Sequence, residues 1–282
     1  MTNVLLPSLI KRDYPQHTGP MLGLYSLCLN GGAALAAAAS VPVGSVLGVS
    51  WRVALGVWGI LALIALVLWL PRARVAGDRP ASTPVQRLPV WRSKLAWAVS
   101  FYMALQSLVY YALIAWLPTL LTDVGLSPSR AGLTSSVMSV AGTISSLVIP
   151  ILAAKRSDQR RFVWVSVLGF LSGLIGLLLA PGTSPVLWVI LLGIGQGAGI
   201  GLALTLFVLR TRSAPAAADL SGMAQTVGYL IAAAGPLLVG ALHDVTGSWR
   251  PPIVALIVVL SALLASGRYA AGNRSVECEL TG

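Results

Sequence analysis

Uncharged polar and aromatic side chains recur at helical spacing inside long apolar runs. Tyr102, Gln106 and Tyr110 stand four residues apart, which places them on one face of a helix. Gln225 and Tyr229 share a face in the same way. A glutamine amide carries two donors and one acceptor, so these positions can hold a small polar solute by hydrogen bonds. The pattern predicts a polar surface along a path between helices.

Three weaker candidates accompany this surface. An internal repeat, described below, sets Ser26 and Asn30 opposite Gln225 and Tyr229, which is the placement of a central site near the middle of the membrane. Gln196 lies among glycines that indicate a tight helix contact. The alternative for all these side chains is hydrogen bonding across helices as packing, and an interfacial tyrosine needs no further role.

The sequence contains no set of residues with the spacing of a catalytic or metal-binding site. The interiors of the predicted spans contain no Asp, Glu, Lys, Arg or His. Several such side chains stand instead at span ends or in connections: Asp13, His17, Asp123, His243 and Asp244. Cys28 and Cys278 show neither ligand spacing nor a pairing framework. We therefore expect no enzyme activity, cofactor or metal, and the sequence names no coupling ion.

The elements that carry these residues are membrane helices. Of 282 residues 56% are hydrophobic and 10% are charged, and the mean hydropathy of +0.84 is beyond the range of water-soluble domains. The net charge of +11 does not indicate nucleic-acid binding, because the basic residues lie in short segments between apolar runs. The expected fold is an all-α integral membrane protein in contact with the lipid bilayer.

Breakers and charge clusters predict about eight full spans after a half-helix stub of about ten residues at the start. The spans are residues 21–46, 52–71, 95–122, 131–154, 162–180, 186–209, 220–242 and 251–267. Sixteen of the 19 basic residues fall in alternate connections, which predicts that these connections and both chain ends are cytoplasmic.

The predicted organisation has two helix bundles. Residues 1–71 form the last part of the first bundle, residues 72–94 a basic, proline-rich cytoplasmic linker, residues 95–267 a complete six-helix bundle, and residues 268–282 a cytoplasmic tail. Trp51-Arg52 recurs as Trp249-Arg250 at an offset of 198 residues, together with loop charge and small-residue clusters. Such parallel repeats predict that the first bundle also has six spans, so we expect three and a half spans upstream of Met1.

The segment GIGQGAGIG contains the letters of a dinucleotide fingerprint inside a predicted span. Its glycines Gly193, Gly197 and Gly201 also read as GxxxG, which lets two helix backbones approach closely. No strand precedes the segment, so helix packing is the better interpretation.

Several stretches resemble the major facilitator superfamily, and within it the cyanate and nitroimidazole permease branch. These are NVLLPSLIKRDYP at the start, QSLVYYALIAWLPTLLTDVGLSPSRAGLTSS at 106–136 and SDQRRF at 157–162. The resemblance implies a two-bundle fold, numbers the observed spans five to twelve, and makes the stub the end of span four. It also implies that Asp158, Arg160 and Arg161 form a cytoplasmic gate loop, although orientation by positive charge alone explains these residues equally.

By the same resemblance we expect a multi-pass permease of the cell inner membrane that works by alternating access on a small solute. The solute would be a small anion such as cyanate or a polar heteroaromatic. A non-transporting membrane scaffold or sensor is the alternative. We also expect the printed chain to be incomplete and inactive by itself, because its first bundle lacks spans.

Overall fold

The computed structural model describes residues 2–47, 59–70 and 88–281, together with Gly56, and regular structure in them is helical. The α-helices are α1 (Thr2–Asp13), α2 (Thr18–Leu47), α3 (Gly59–Leu70), α4 (Lys94–Asp123), α5 (Pro128–Ala153), α6 (Arg160–Leu179), α7 (Pro185–Leu209), α8 (Ala214–Ala232), α9 (Ala234–Thr246), α10 (Arg250–Ala270) and α11 (Val276–Thr281).

Six helical segments of the described residues are long and apolar enough to cross a membrane: α4, α5, α6, α7, α8 with α9, and α10. Of the eight predicted spans, 21–46 coincides with α2. Span 52–71 is described only in part, as the short helix α3, and most of the linker 72–94 lies outside the described residues.

The chain divides into two compact units, Met1–Cys28 with Arg87–Gly282, and Leu29–Gln86. The first unit has a continuous apolar core whose largest buried side chains include Tyr102, Phe170 and Phe207. In the second unit, the apolar side chains of α3 are exposed, among them Leu63, Val67 and Leu68. Such exposure fits a surface that faces lipid rather than water.

Helix α7 lies at the centre of the six-span bundle and packs against both α5 and α6. A Cβ atom at Gly193 would lie 2.8 Å from the Cβ atom of Ala141 in α5, and one at Gly195 would lie 2.5 Å from the backbone nitrogen of Phe170 in α6. Glycine is needed on both faces because lipid provides no hydrophobic drive, so close backbone contact must hold the helices together.

The predicted span 220–242 falls within α8 and α9, which are separated at Ala233. Pro236 follows the break and has no backbone N–H, so the carbonyl of Ala232 receives no helical hydrogen bond from it. Beyond the break, the indole of Trp116 in α4 donates to the Pro236 carbonyl at 2.8 Å. One membrane crossing is therefore built from two helices.

The tail after α10 folds back onto the bundle. Val276 donates its backbone N–H to the carbonyl of Arg210 at 2.8 Å, just after α7. Glu279 of α11 accepts hydrogen bonds from the Ser93 hydroxyl at 2.6 Å and from the Leu95 backbone N–H at 2.9 Å. A carboxylate at the start of a helix is favourable because the free N–H groups there carry partial positive charge. The tail thus caps α4.

Candidate functional site

A cluster of tyrosines lies where α4 meets α8, immediately before the break at Ala233. The ring centroids of Tyr110 and Tyr111 are 5.2 Å apart, and those of Tyr111 and Tyr229 are 6.5 Å apart. Tyr111 and Tyr229 remain 38% and 40% exposed, whereas Tyr102 of the same bundle is fully buried. We call Tyr110, Tyr111 and Tyr229 the tyrosine cluster. It presents aromatic faces and hydroxyl groups outside the bundle core.

Gln225 stands one helical turn before Tyr229 and is buried. Its amide donates to the Ser221 hydroxyl at 2.9 Å, which fixes the side chain along α8. Tyr25, in the part of α2 that belongs to the same compact unit, lies within electrostatic range of Tyr229. Its hydroxyl is buried and has no hydrogen-bond partner in the described part of the chain. Gln225 and the Tyr25 hydroxyl are therefore buried polar groups beside the tyrosine cluster.

The other candidates lie away from the cluster. Gln106 is buried in the bundle, where its amide donates to the Ser107 hydroxyl at 2.7 Å and a Cβ atom at Gly199 of α7 would come within 3.2 Å of its side-chain oxygen. Gln196 directs its side-chain oxygen at Gly142 of α5. Both environments agree with helix packing, the alternative interpretation of these residues.

The two candidates from the first bundle, Ser26 and Asn30, belong to different compact units. Ser26 is fully buried within Met1–Cys28, whereas Asn30 belongs to the unit Leu29–Gln86. Tyr102 is buried between α6 and α10. A Cβ atom at Gly267 of α10 would lie 2.8 Å from the Tyr102 ring and 2.7 Å from the Val163 side chain of α6. The shared face of Tyr102, Gln106 and Tyr110 is therefore divided: its first two members lie in the core and only Tyr110 reaches the tyrosine cluster.

The gate-loop candidates lie at the start of α6. Asp158 accepts the backbone N–H of Arg160 at 2.8 Å and stands 3.7 Å from its guanidinium, which also donates to the Arg268 carbonyl at 3.3 Å. Arg161 is exposed. Asp158 therefore binds the first backbone N–H of α6, and Arg160 joins the loop to the end of α10.

Gln159 and Arg210 form the buried centre of this face, and neither was a candidate from the sequence. The Arg210 guanidinium donates to the Gln159 side-chain oxygen, to the Ala271 carbonyl at 3.2 Å and to the Arg274 carbonyl at 3.4 Å. Burial lowers the pKa of Arg210 to about 10, an effect that the charge of Asp158 opposes. Arg210 is therefore still charged at neutral pH. Its hydrogen bonds connect the end of α7 to Gln159, just before α6, and to the segment after α10.

Lys11 makes a second contact at the end of α7. Its ammonium group donates to the Val208 carbonyl at 2.5 Å and to the carbonyl of Thr211. The last carbonyls of a helix lack internal donors and carry partial negative charge, so a cation is favoured there. Burial lowers the pKa of Lys11, and Glu277 opposes that shift. The contact joins α1 to α7.

Helix α2 approaches the same face of the bundle. A Cβ atom at Gly19 would lie 2.7 Å from the Cβ atom of Ala154, and one at Gly23 would lie 2.7 Å from the Leu147 carbonyl oxygen. Residues before and after the linker are thus packed together around the ends of α5 and α7.

The opposite face of the bundle is held by aromatic contacts. The Trp249 indole donates to the Asp123 carboxylate at 2.7 Å, and the His243 ring lies on Trp249 with centroids 4.0 Å apart.

His17 is exposed in the short turn between α1 and α2. The described residues contain no group of three or more His, Cys, Asp or Glu side chains that could hold a metal ion.

A bundle of membrane-length helices is the architecture of a multi-pass membrane protein. The sequence profile of the Major Facilitator Superfamily matches residues 1–236. The chain belongs to this superfamily.

Three relatives agree with that assignment. The uncharacterized transporter YycB of Bacillus subtilis (strain 168) is 44% identical over 97% of this chain and 68% of its own length. The 2-nitroimidazole transporter of Escherichia coli (strain K12) is 40% identical over 96% of this chain and 69% of its own length. The cyanate transport protein CynX of the same organism is 29% identical over 87% of this chain and 63% of its own length.

The expectation of a major facilitator permease is confirmed. The relatives are named transporters of a family that is not enzymatic, so the expectation that the chain is no enzyme is confirmed as well. A chain of this family with several apolar helices is a multi-pass membrane protein.

Proposed function

We propose that this protein carries a small polar heteroaromatic solute across the inner membrane by alternating access, with the tyrosine cluster as part of the binding surface. The exposure of Tyr111 and Tyr229 beside the break in span eleven carries this proposal. Transporter sites are typically formed near interrupted helices at the middle of the membrane.

The chemistry of the cluster supports an aromatic solute. Tyrosine rings stack on flat π systems, and their hydroxyl groups donate to and accept from ring substituents such as a nitro group or a ring nitrogen. Tyr110, Tyr111 and Tyr229 offer three rings within one contact chain. The relative named for transport of 2-nitroimidazole is in agreement.

A small anion is the second candidate solute, supported by the likeness to a cyanate transport protein. Such an anion is normally met by a cation, and the tyrosine cluster and Gln225 provide only neutral donors. The described surface therefore favours the heteroaromatic solute over cyanate.

The orientation we propose follows from charge. Lys11, Arg160, Arg210 and the tail lie around one face of the bundle, and basic connections remain in the cytoplasm. The packing of α1 and the start of α2 against α5, α7 and α8 supports a state that is closed on this face. We infer that Lys11 must leave α7 when the protein opens to the cytoplasm.

An uptake assay with two labelled solutes tests this function. Cells that express the chain continued upstream of Met1 are expected to accumulate 2-nitroimidazole above the level of cells with an empty vector, with weaker accumulation of cyanate. Uptake equal to the empty vector for both solutes, with the protein present in the membrane, would reject the proposed substrate class.

The assay is run with the printed chain and with the reading frame continued upstream of Met1. We predict that the printed chain alone does not transport, and the assay with the printed chain tests this prediction. A non-transporting scaffold or sensor predicts no uptake in either arm. Transport in either arm excludes that alternative.

A further inference from the structure

A polar cavity of about 610 Å³ opens among the end of α7, the start of α4 and the folded-back tail. This volume is in the range of sites for small organic ligands. The wall combines Arg212, Arg274, Asn273 and Ser275 with the apolar side chains of Leu95 and Leu209. The cavity lies on the face of the basic connections, away from the tyrosine cluster, and no role described above uses it.

The two arginines give the cavity its charge. Arg212 and Arg274 are both exposed, and within the described residues neither guanidinium forms an ion pair or a hydrogen bond. The Arg274 guanidinium only lies over the Tyr269 ring, 5.4 Å from its centroid. Two guanidinium groups without carboxylate partners, in one cavity, favour an anion with several oxygen acceptors.

Two carboxylates lie near the arginines and are held by other groups. Glu279 lines the wall, but its carboxylate is bound by the Ser93 hydroxyl and the Leu95 backbone N–H at the start of α4. Glu277, next to the cavity, accepts the backbone N–H of Arg212 at 2.6 Å. Both carboxylates keep their negative charge, but the bonds they make are to backbone N–H groups and to the Ser93 hydroxyl, and neither arginine guanidinium is ion-paired in the described residues. The arginine side chains are therefore open to a ligand.

A hydroxyl group in the wall adds hydrogen-bonding capacity. The Ser275 hydroxyl is buried and has no partner in the described part of the chain, although a buried polar group without a partner is costly. Ser275 stands directly after Arg274 in the turn that leads to α11. Ser275 lines the cavity, so rotation of its side chain would bring the hydroxyl to a ligand oxygen beside the arginine pair.

We propose that this cavity binds a phosphate ester, with Arg212 and Arg274 on the phosphate oxygens and Ser275 as a further hydrogen-bond partner. Guanidinium groups match the oxygens of phosphate in pairs, and Leu95 and Leu209 supply an apolar wall for the organic part of the ligand. The same chemistry is offered by a phospholipid headgroup at the membrane surface and by a soluble organic phosphate.

Cys278 lines the cavity and is exposed, so the rate at which its thiol is alkylated reports whether a ligand occupies the cavity. The exposed Cys28 of α2 is the internal control. Purified protein in detergent is alkylated with N-ethylmaleimide, and each cysteine is followed by mass spectrometry. The probes are short-chain phosphatidylglycerol, short-chain phosphatidylcholine and glycerol 3-phosphate. We expect phosphatidylglycerol to slow alkylation of Cys278 at least fivefold with no change at Cys28.

The arginine variants test the assignment of ligands. Arg212→Gln and Arg274→Gln are each expected to raise the phosphatidylglycerol concentration that gives half of the full protection about tenfold, the usual effect of one charged hydrogen bond. Arg156→Gln, which changes an exposed arginine of the α5–α6 connection, is the matched control and should keep full protection. Unchanged alkylation of Cys28 in every variant shows that the bundle is intact.

Each outcome is decisive. Protection by phosphatidylglycerol alone assigns the cavity to a lipid headgroup, and protection by glycerol 3-phosphate as well assigns it to soluble phosphate esters. No protection by any of the three phosphate esters, or full protection in a variant with both Arg212→Gln and Arg274→Gln, overturns the proposal. Transport is not measured, so failure of the proposed transport function leaves this test unaffected.

Discussion

The ammonium group of Lys11 donates to the backbone carbonyl of Val208 at 2.5 Å, although 197 positions separate the two residues in the chain. This contact satisfies a carbonyl at the end of α7 that has no helical donor. It also binds a helix that precedes the linker to one in the middle of the six-span bundle. We interpret it as a lock on the closed cytoplasmic face.

Replacement of Lys11 by methionine is expected to open this face. The variant keeps the apolar stem but leaves the Val208 and Thr211 carbonyls without the charged donor, so the ratio of closed to open protein should fall about tenfold. The measurement is the spin-label distance between Arg12→Cys and Arg161→Cys, with Cys28 and Cys278 changed to serine. Lys11→Arg should retain most of the closed population. A distance distribution in Lys11→Met identical to that of the unmodified lysine contradicts the lock.

The same lock predicts a pH dependence with a definite sign. Burial lowers the pKa of Lys11 in the closed state below the model-compound value of 10.5, so the closed state binds the proton less tightly than an open state with Lys11 in water. Raising the pH towards 10.5 therefore increases the closed population, and the neutral amine still has two N–H donors for the carbonyls. The spin-label distance measured from pH 8 to about 10.5 should show this shift, and Lys11→Met should abolish it. An increase of the open population with pH would refute the argument.

Arg210 is expected to be a major stabilising residue of the basic face. Arg210→Met leaves the buried Gln159 side chain and the Ala271 carbonyl without their donor, which should cost about 2 kcal/mol. The midpoint of thermal unfolding should then fall by roughly 5 °C. Arg212→Met, two positions along, changes an exposed side chain and should leave the midpoint within about 1 °C. Equal midpoints for the two variants would show that the buried network contributes nothing.

The glycine contact between α7 and α5 gives a packing prediction. A Cβ atom at Gly197 would overlap the Gly142 carbonyl and would lie 2.8 Å from the Ser145 Cβ atom, so Gly197→Ala should separate the helices and lower the unfolding midpoint. Gly132→Ala in α5 is the matched control, because nothing lies within 4 Å of the added carbon. Alanine is the better helix former, so the control should be neutral or slightly stabilising. An unchanged midpoint in Gly197→Ala would mean that α7 and α5 can separate without cost.

The spans were accessible to sequence reasoning because length and hydropathy determine a membrane helix. Five predicted spans of the bundle end within three residues of the observed helices, from α4, predicted as 95–122, to α10, predicted as 251–267. The break at Ala233 was missed, although Pro236 was a signal for it, because a proline within a membrane helix often only bends it.

The contacts of the candidate residues were less predictable. Helical spacing placed Gln106 and Tyr110 on one face, but the spacing cannot say which neighbour that face meets, and Gln106 meets α7. Gln159 and Arg210 gave no signal in the sequence, since their partners come from segments about 50 and 60 positions away. The burial of Arg210 is a property of the folded chain.

Solute recognition by the tyrosine cluster is the central claim, and the concentration dependence of 2-nitroimidazole uptake in Tyr229 variants tests it most directly. Tyr229→Ala removes one ring of the chain formed with Tyr111 and should raise KM about fivefold, the value of one aromatic contact, whereas Tyr229→Phe should have a smaller effect. Tyr269→Ala changes an exposed tyrosine at the end of α10, outside the cluster, and should leave KM unchanged. A KM in Tyr229→Ala equal to that of the Tyr269→Ala control would contradict the claim.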